Sequence, residues 1–408
     1  MQTNTKIIIL GGGFAGVMAA LRLSRLTRHQ PVAITLVNAG TAFVERTRQH
    51  QVASGQSVPA PSFATLLAGT GVQFVQGKAT ALDPVQKMVT VAASDGEQTL
   101  NYDKLIYALG SHTDVDRIPG VREHAYVLEQ HAVLSEQLRK TAASHGRVLV
   151  IGGGLTGIEM ATELAETQPG LQVALATAGT LGDHMSSAGA HHLDKTFRTL
   201  GIALHERTKI TRLEAGQAIT AAGALPFDLC VYTAGFAVAP LAKAAGLAVN
   251  SQNQVVVDAF LHSVSHPDIY AVGDAAAFEQ SADLSLRMGC VTALPLAGHA
   301  ADNLAHALAG QAEQPFGFGF VIRCISLGRH NGLVQFTDAA DRPRSWVLAG
   351  RTGAVVKELI LHFVMKTLQL EQRFPFYRWS QARKAHPNIG VSSALPAAET
   401  LVVELVNR

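Results

Sequence analysis

The chain of 408 residues reads as an α/β protein with two doubly wound parallel-sheet units, the second inserted in the first, and a small α+β domain at the C-terminal end. Three observations lead there. A buried-strand run, a glycine turn and a helix opening occur as Ile7-Ile8-Ile9-Leu10-Gly11-Gly12-Gly13-Phe14-Ala15-Gly16, and recur about 140 residues later as Val148-Leu149-Val150-Ile151-Gly152-Gly153-Gly154-Leu155-Thr156-Gly157. Two more apolar runs, Tyr102–Leu109 and Asp268–Val272, stop on Gly110-Ser111 and Gly273-Asp274. Past Pro315 the texture changes to short strands and one amphipathic helix.

Taken in order, Lys6–Leu10 is continuously apolar, as a central parallel strand buried on both faces should be. Phe14–Leu26 follows with apolar residues at helical spacing, and Val32–Val37 is a second strand ending at Asn38. Together they make a βαβ unit of about 30 residues. Ala39–Pro61 is loop-rich; Gly71–Gly77 and Lys87–Ala92 read as strands about a Pro84 turn, and Asp95-Gly96 signals a hairpin. Val127–Ala143 reads as a helix leading into the second glycine unit, which runs from Arg147 to Ala178. Ile202–Glu214, Phe227–Thr233, Val255–Val257 and Asp268–Val272 are further strands, and Thr292–Ala309 is a long alanine-rich helix. Phe320–Ser326, Gly332–Phe336 and Ser345–Leu348 read as three short strands before a helix at Val355–Leu370. The expected boundaries are 1–115 with 241–312 for the first unit, 116–240 for the inserted one and 313–408 for the last domain.

Composition narrows the function classes. Hydrophobic residues make up 48 % and charged residues 16 %, which supports large cores and excludes disorder. A net charge of +2 gives no footprint for nucleic acid. The cysteines, Cys230, Cys290 and Cys324, form no CxxC pair and no zinc spacing, which fits a reducing compartment. The chain enters a strand at once, so no signal peptide is expected, and no apolar run reaches the roughly 18–20 residues of a membrane span. The expected location is cytoplasmic, with peripheral contact on the inner face of the membrane left open.

The glycine spacing suits dinucleotides. In each Rossmann-like unit the first glycine (Gly11, Gly152) permits the tight turn. The second (Gly13, Gly154) lets backbone approach a pyrophosphate, and the third (Gly16, Gly157) lets the helix pack on the strand. The helix N-terminus then faces the phosphates. An acidic residue about 20 positions on usually holds the adenosine ribose. Asn38 stands there in the first unit and Thr177 in the second, so the choice between NADH and NADPH is not readable.

With both glycine motifs, Tyr107-Ala108-Leu109-Gly110 and Ile269-Tyr270-Ala271-Val272-Gly273-Asp274 in this order, the chain resembles the two-dinucleotide-domain flavoproteins over about residues 5–310. Arg323-Cys324-Ile325-Ser326-Leu327-Gly328 and the later helix look most like the type II NADH dehydrogenase-like branch. The resemblance implies FAD at the first motif, with Phe14, Ala15, Asn38, Arg46, Ala108, Gly110, Gly273, Asp274 and Pro295 beside it. It implies NAD(P)H at the second, with Thr156 and Gly235, and Glu159 near the nicotinamide as the catalytic candidate. The bland alternative for Glu159 is a first-turn carboxylate favoured by the helix dipole. Glu45–His50 is either a stretch passing the flavin or a solvated charge run. Two features depart from the family pattern. No redox CxxC follows the first motif, and Thr292–His299 carries Leu294 and His299 where type II NADH dehydrogenases carry glutamines facing the quinone.

The resemblance therefore implies an FAD-dependent NAD(P)H dehydrogenase with a quinone-like acceptor. A soluble flavoprotein reductase or tailoring oxidoreductase, and a flavin-bound redox sensor without turnover, stay open. On the Val355–Leu370 helix, Glu358, His362, Lys366 and Gln369 share a face, with Leu359, Ile360, Phe363, Val364 and Leu368 around the remaining arc and Phe374, Phe376, Tyr377, Arg378 and Trp379 beyond. Such a helix lies on a membrane surface, packs on its own domain or joins a homodimer.

Overall fold

The computed structural model describes residues 4–281 and 284–380; the tail 381–408, part of the expected last domain, lies outside the described residues. The first unit is built on a five-stranded parallel sheet. Its order is Ile269–Ala271, Lys104–Tyr107, Thr5–Leu10, Val32–Asn38, Gln73–Gln76. Ile7, Ile9, Leu10, Leu105, Ile106 and Tyr270 are fully buried, which is why these strands read as unbroken apolar runs. The edge strand Ile269–Ala271 comes from beyond the second unit, so the first sheet closes only after the chain has made the insertion. The helices Phe14–Thr27 and Cys290–Leu308 pack side by side, brought close by buried Ala19, Ala20, Ala297, Ala300 and Ala301.

The stretch after residue 71 differs from the sequence expectation. Gln73–Gln76 joins the parallel sheet, whereas Lys78–Asp83 pairs with Met88–Ala93, which pairs in turn with Gly96–Asn101, in a separate antiparallel sheet. Gly77 is the hinge between them: a Cβ there would run into the Val91 side chain and lie 2.9 Å from the Ala92 carbonyl oxygen. The Asp95-Gly96 hairpin is present where expected.

The second unit carries a four-stranded parallel sheet, Ala203–His205, Gln172–Ala176, Arg147–Ile151, Leu229–Tyr232, with the helix Leu155–Thr167 behind its glycine turn. Ile202–Glu214 is two strands rather than one run. Ala203–His205 ends in the parallel sheet, and Ile210–Glu214 opens a three-stranded antiparallel sheet. The two crossings between the units pair with each other, Thr113 with Phe236 and His112 with Ala237. This two-stranded hinge follows Gly110 and Gly235, and the residues just before those glycines meet the turns: Ala108 lies against Gly11 and Thr233 against Gly152.

The last region is an antiparallel sheet of Ile322–Ser326, Gly332–Thr337 and Pro343–Ala349, followed by the helix Gly350–Glu371. That helix starts five residues before the expected Val355, because the preceding strand runs straight into it. Its buried positions are Gly353, Lys357, Leu361, Thr367, Leu368 and Glu371. Leu359 and Phe363, read from the sequence simply as part of the apolar arc, are exposed. No described helix is long and apolar enough to cross a membrane.

Candidate functional site

At the first glycine turn, Gly11 has φ +100° and a Cβ there would collide with the Ala108 carbonyl. A Cβ on Gly16 would strike the Gly11 carbonyl oxygen. Those two glycines are demanded by the fold itself. Gly13 is different: nothing lies within 4 Å of a Cβ there, and no side chain caps the helix it opens. Its backbone N–H groups and those of Phe14 and Ala15 therefore face open space at the positive end of a 14-residue helix, as a pyrophosphate requires. Asn38 secures the turn: its Oδ1 accepts from the Gly12 N–H at 2.9 Å and its Nδ2 donates to the Gly40 carbonyl at 2.9 Å. One amide N–H and one oxygen lone pair remain for a ribose.

Asp274 stands at the far side of this turn. Ser111 Oγ donates to its Oδ2 at 2.6 Å and the Gly289 N–H donates to its Oδ1 at 2.8 Å. Arg46 Nη1 in turn donates to the Ser111 carbonyl at 2.6 Å. Arg46, Gly110, Gly273 and Asp274, scattered over more than 220 positions, thus meet at one corner. Gly273, at φ +67°, brings its backbone against Ala15, and Gly289 opens the helix that contains Pro295. Ser111 was not foreseen as a participant; its position directly after Gly110 was the available signal. Leu294 is buried, and His299 Nε2 lies 2.7 Å from the Gln314 carbonyl, so both serve packing.

The second turn repeats the first. Gly152 has φ +127° with a Cβ position 2.6 Å from Thr233 Oγ1, Gly157 would strike the Gly152 carbonyl, and Gly154 has nothing within 4 Å. The helix opens at Leu155-Thr156-Gly157 with no side-chain cap on Gly154. Thr177 presses its hydroxyl towards Gly153 as Asn38 presses its amide on Gly12. Gly235, at φ +81°, sits 3.0 Å by its Cβ position from Arg117 Nη1.

Behind the second turn a buried charge network joins its helix to the last helix and to the 45–56 segment. Glu159 is the fifth residue of its helix, not a first-turn carboxylate, and is 9 % exposed. It pairs with Lys357 of the last helix, accepts from the Ser326 N–H at 3.1 Å and has His50 Nδ1 at 3.6 Å. One turn on, Glu163 is fully buried and takes Arg329 at 2.8 Å and the Gln56 amide. Arg48 bridges Glu45 at 2.9 Å and Glu358 at 2.6 Å. The Glu45–His50 run is therefore not a solvated one: Glu45 and His50 are buried and Arg46–Gln49 half-buried, with Glu45 answered by Arg48 within the run and Arg46, Arg48 and His50 by Glu129, Glu358 and Glu159 from other segments.

These partners set the protonation states. Burial alone would raise the Glu159 carboxyl, but Lys357 and His50 hold it below the usual range. Burial pushes Glu163 up despite Arg329. Burial, helped by Lys357, Arg329 and Arg48, drives His50 down to about 4, so the imidazole is neutral near pH 7. His50 Nε2 has no hydrogen-bond partner among the described residues. Burial also pushes the Cys290 thiol up to about 12 and raises Cys324, so neither is a thiolate. Lys357, Arg329 and Glu163 escaped the sequence reading. The usable signal was Lys357 itself, a cation in register with Gly353 and Leu361 on the buried stripe.

Comparison with known proteins agrees with this geometry. A demethylphylloquinone reductase, NdbB, of Synechocystis is 28 % identical over 296 residues, covering 67 % of this chain and 72 % of that protein. The type II NADH:quinone oxidoreductase of Haemophilus influenzae is 26 % identical over 333 residues, covering 67 % and 74 %. NDH2 of Plasmodium falciparum, solved in complex with NADH, superposes with a TM-score of 0.76 at 16 % identity, over 90 % of this chain and 97 % of that one. The paired glycine turns and the interrupted first sheet fall inside residues 5–302, the span matched by the family description "pyridine nucleotide-disulphide oxidoreductase", and the chain belongs to that family.

Proposed function

We propose that the protein is an FAD-dependent NAD(P)H dehydrogenase that passes electrons to a quinone-like acceptor. The observation that carries this reading is the pair of ligand-open glycine turns, Gly13 and Gly154, each at the head of an uncapped helix with nothing within 4 Å of its Cβ position. Two of the relatives named above act on quinones by name, which supports the acceptor class. Bound FAD supplies the chemistry, taking a hydride from the nicotinamide and passing electrons on.

The chain's own part is to hold, orient and supply protons. Gly13, Phe14 and Ala15 offer backbone N–H groups to one pyrophosphate, and Gly154, Leu155 and Thr156 to the other. The Asp274 carboxylate, pinned by Ser111 and Gly289, is fixed to accept a hydroxyl of the flavin's sugar-like chain. Gly110, Gly235, Ala108 and Pro295 complete the walls. A quinone that takes up two electrons also takes up two protons. Lys357 and the neutral His50 hold protons away from bulk water beside the Glu159 carboxylate, which is the member on the nucleotide helix.

The location follows the acceptor. Val355, Leu359 and Phe363 form an exposed stripe, joined by Phe374 and Phe376, with Arg351, Lys366, Arg373 and Arg378 exposed around it. An apolar stripe with a basic flank suits the surface of a membrane, on its cytoplasmic face given three free cysteines.

Anaerobic titration of the purified yellow protein with NADH and NADPH, then reoxidation by a soluble quinone or by ferredoxin, tests the assignment. Bleaching followed by quinone-specific reoxidation is the expected result. Failure to bind flavin at all defeats it, and flavin that neither nucleotide bleaches favours the sensor reading.

A further inference from the structure

The end of the strand Gln172–Ala176 is where the adenosine ribose lies when a pyrophosphate sits on the second glycine turn. A carboxylate there takes the free 2′-hydroxyl, and an arginine nearby accommodates a 2′-phosphate. The position belongs to Thr177, which is buried against Gly153, and the next residue, exposed Ala178, has no polar group. Neither Thr177 nor Ala178 carries the carboxylate that would select the free 2′-hydroxyl.

A cation arrives instead from the neighbouring strand. Ala203–His205 runs out into a loop that is clamped onto residues 177–179 by three backbone hydrogen bonds. The Thr177 N–H donates to the His205 carbonyl at 2.9 Å, the Thr208 N–H to the Thr177 carbonyl at 2.8 Å, and the Arg207 N–H to the Gly179 carbonyl at 2.8 Å. Arg207 is thereby fixed beside Ala178 and Gly179, in the left-handed region at φ +50°. It is exposed and makes no ion pair among the described residues. The carboxylates of this corner are engaged with backbone donors: Glu206 accepts from the Leu181 N–H at 2.6 Å, and Asp183 from the Thr180 N–H at 2.9 Å as well as from the Thr180 hydroxyl. The corner therefore offers a free guanidinium, whose planar fork matches phosphate oxygens in pairs.

We propose that Arg207 determines the specificity of the second dinucleotide site and makes it prefer the 2′-phosphorylated nucleotide, NADPH, over NADH. This rests on the reading that the second glycine turn binds a nicotinamide dinucleotide.

Calorimetry of the flavin-loaded protein with 2′,5′-ADP and with 5′-AMP tests it without turnover. One charge-assisted contact to phosphate predicts about a tenfold tighter 2′,5′-ADP. Arg207→Asn, whose side chain tolerates the left-handed backbone, and Arg207→Ala should each bring the ratio to near one, while Arg207→Lys keeps part of it. In kinetics the KM for NADPH should rise in these variants, with kcat at saturation and the KM for NADH unchanged. Equal binding of the two probes by the native protein, or an unchanged ratio in both variants, overturns the assignment. Binding of neither probe, nor of NADP⁺ or NAD⁺, would instead remove the reading of the site on which the assignment rests.

Discussion

Lys357 and Glu159 are 198 positions apart and form an ion pair inside the protein, the lysine 4 % exposed and the carboxylate 9 %. The pair fastens the last helix to the helix behind the second glycine turn. Removing one partner strands the other in a low-dielectric interior, at a cost of about 3–5 kcal/mol, whereas removing both charges leaves nothing stranded. Lys357→Met should therefore lower the melting temperature clearly, and the double variant Glu159→Gln/Lys357→Met should recover most of the loss. In the double variant NAD(P)H should still bleach the flavin, while reoxidation by quinone slows. A Lys357→Met protein that melts like the native one would show the pair to be dispensable.

His50 links this junction to pH. Its folded-state pKa of about 4 lies below the ordinary 6.5, so the unfolded chain binds the proton more readily. The stability this site contributes is complete above pH 6.5 and is lost as pH falls from 6.5 towards 4. By pH 5 the loss is about 2 kcal/mol. Glu163, held above its usual value, works in the opposite sense, and Glu159, held below, adds to the acid loss at lower pH. Comparing the native protein with His50→Gln isolates the imidazole: between pH 7 and 5 the variant should lose less denaturant stability. Parallel curves for the two proteins would contradict the buried, neutral histidine.

What the sequence disclosed and what it hid follow from the range of the physics involved. Gly11, Gly16, Gly152 and Gly157 are legible because each answers a backbone collision within a few residues, so the constraint is written at fixed spacing. The Asp95-Gly96 hairpin is local in the same sense. The strand Lys78–Asp83 has no place in the sequence reading, because only Gly77 separates it from a strand of another sheet and the reason for the break, Val91, lies elsewhere in the chain. The burial of Glu45–His50 was not legible at all. A charge run signals solvent until its partners are known, and Glu358, Glu159 and Glu163 come from three other turns of helix. Arg207 is hidden for the same reason, since the loop that carries it after one strand is hydrogen-bonded to the end of another.

The glycines themselves divide into two kinds. Gly13→Ala and Gly154→Ala place a Cβ where no protein atom lies within 4 Å, so both variants should fold with native melting temperature once stripped of nucleotide. Gly13→Ala should lose flavin, because the new methyl occupies the space a pyrophosphate needs. Gly154→Ala should keep flavin and lose nucleotide affinity. Gly16→Ala and Gly157→Ala should misfold instead, each striking a carbonyl of its own turn. Flavin absorbance and thermal melts on the four proteins separate the classes; a Gly13→Ala protein with full flavin would displace FAD from this turn.

The exposed stripe of the last helix yields the prediction about location. Val355, Leu359 and Phe363 recur every fourth residue, and Leu359 is 63 % exposed although Leu361, two residues on, is buried. Phe363 and Phe376 pack at a tilt with ring centroids 5.7 Å apart, extending the patch beyond the helix. Apolar area of this kind gains roughly 25 cal/mol per Å² when it leaves water, and exposed Arg351, Lys366, Arg373 and Arg378 add attraction to anionic headgroups. The native protein should co-float with vesicles containing anionic lipid, less so in high salt. Leu359→Glu/Phe363→Glu should stay at the bottom of the gradient while still oxidising NAD(P)H with a soluble quinone, since neither side chain reaches the junction at Lys357. If the native protein fails to float and instead runs as a dimer that the same substitutions dissociate, a second copy of the chain covers the stripe.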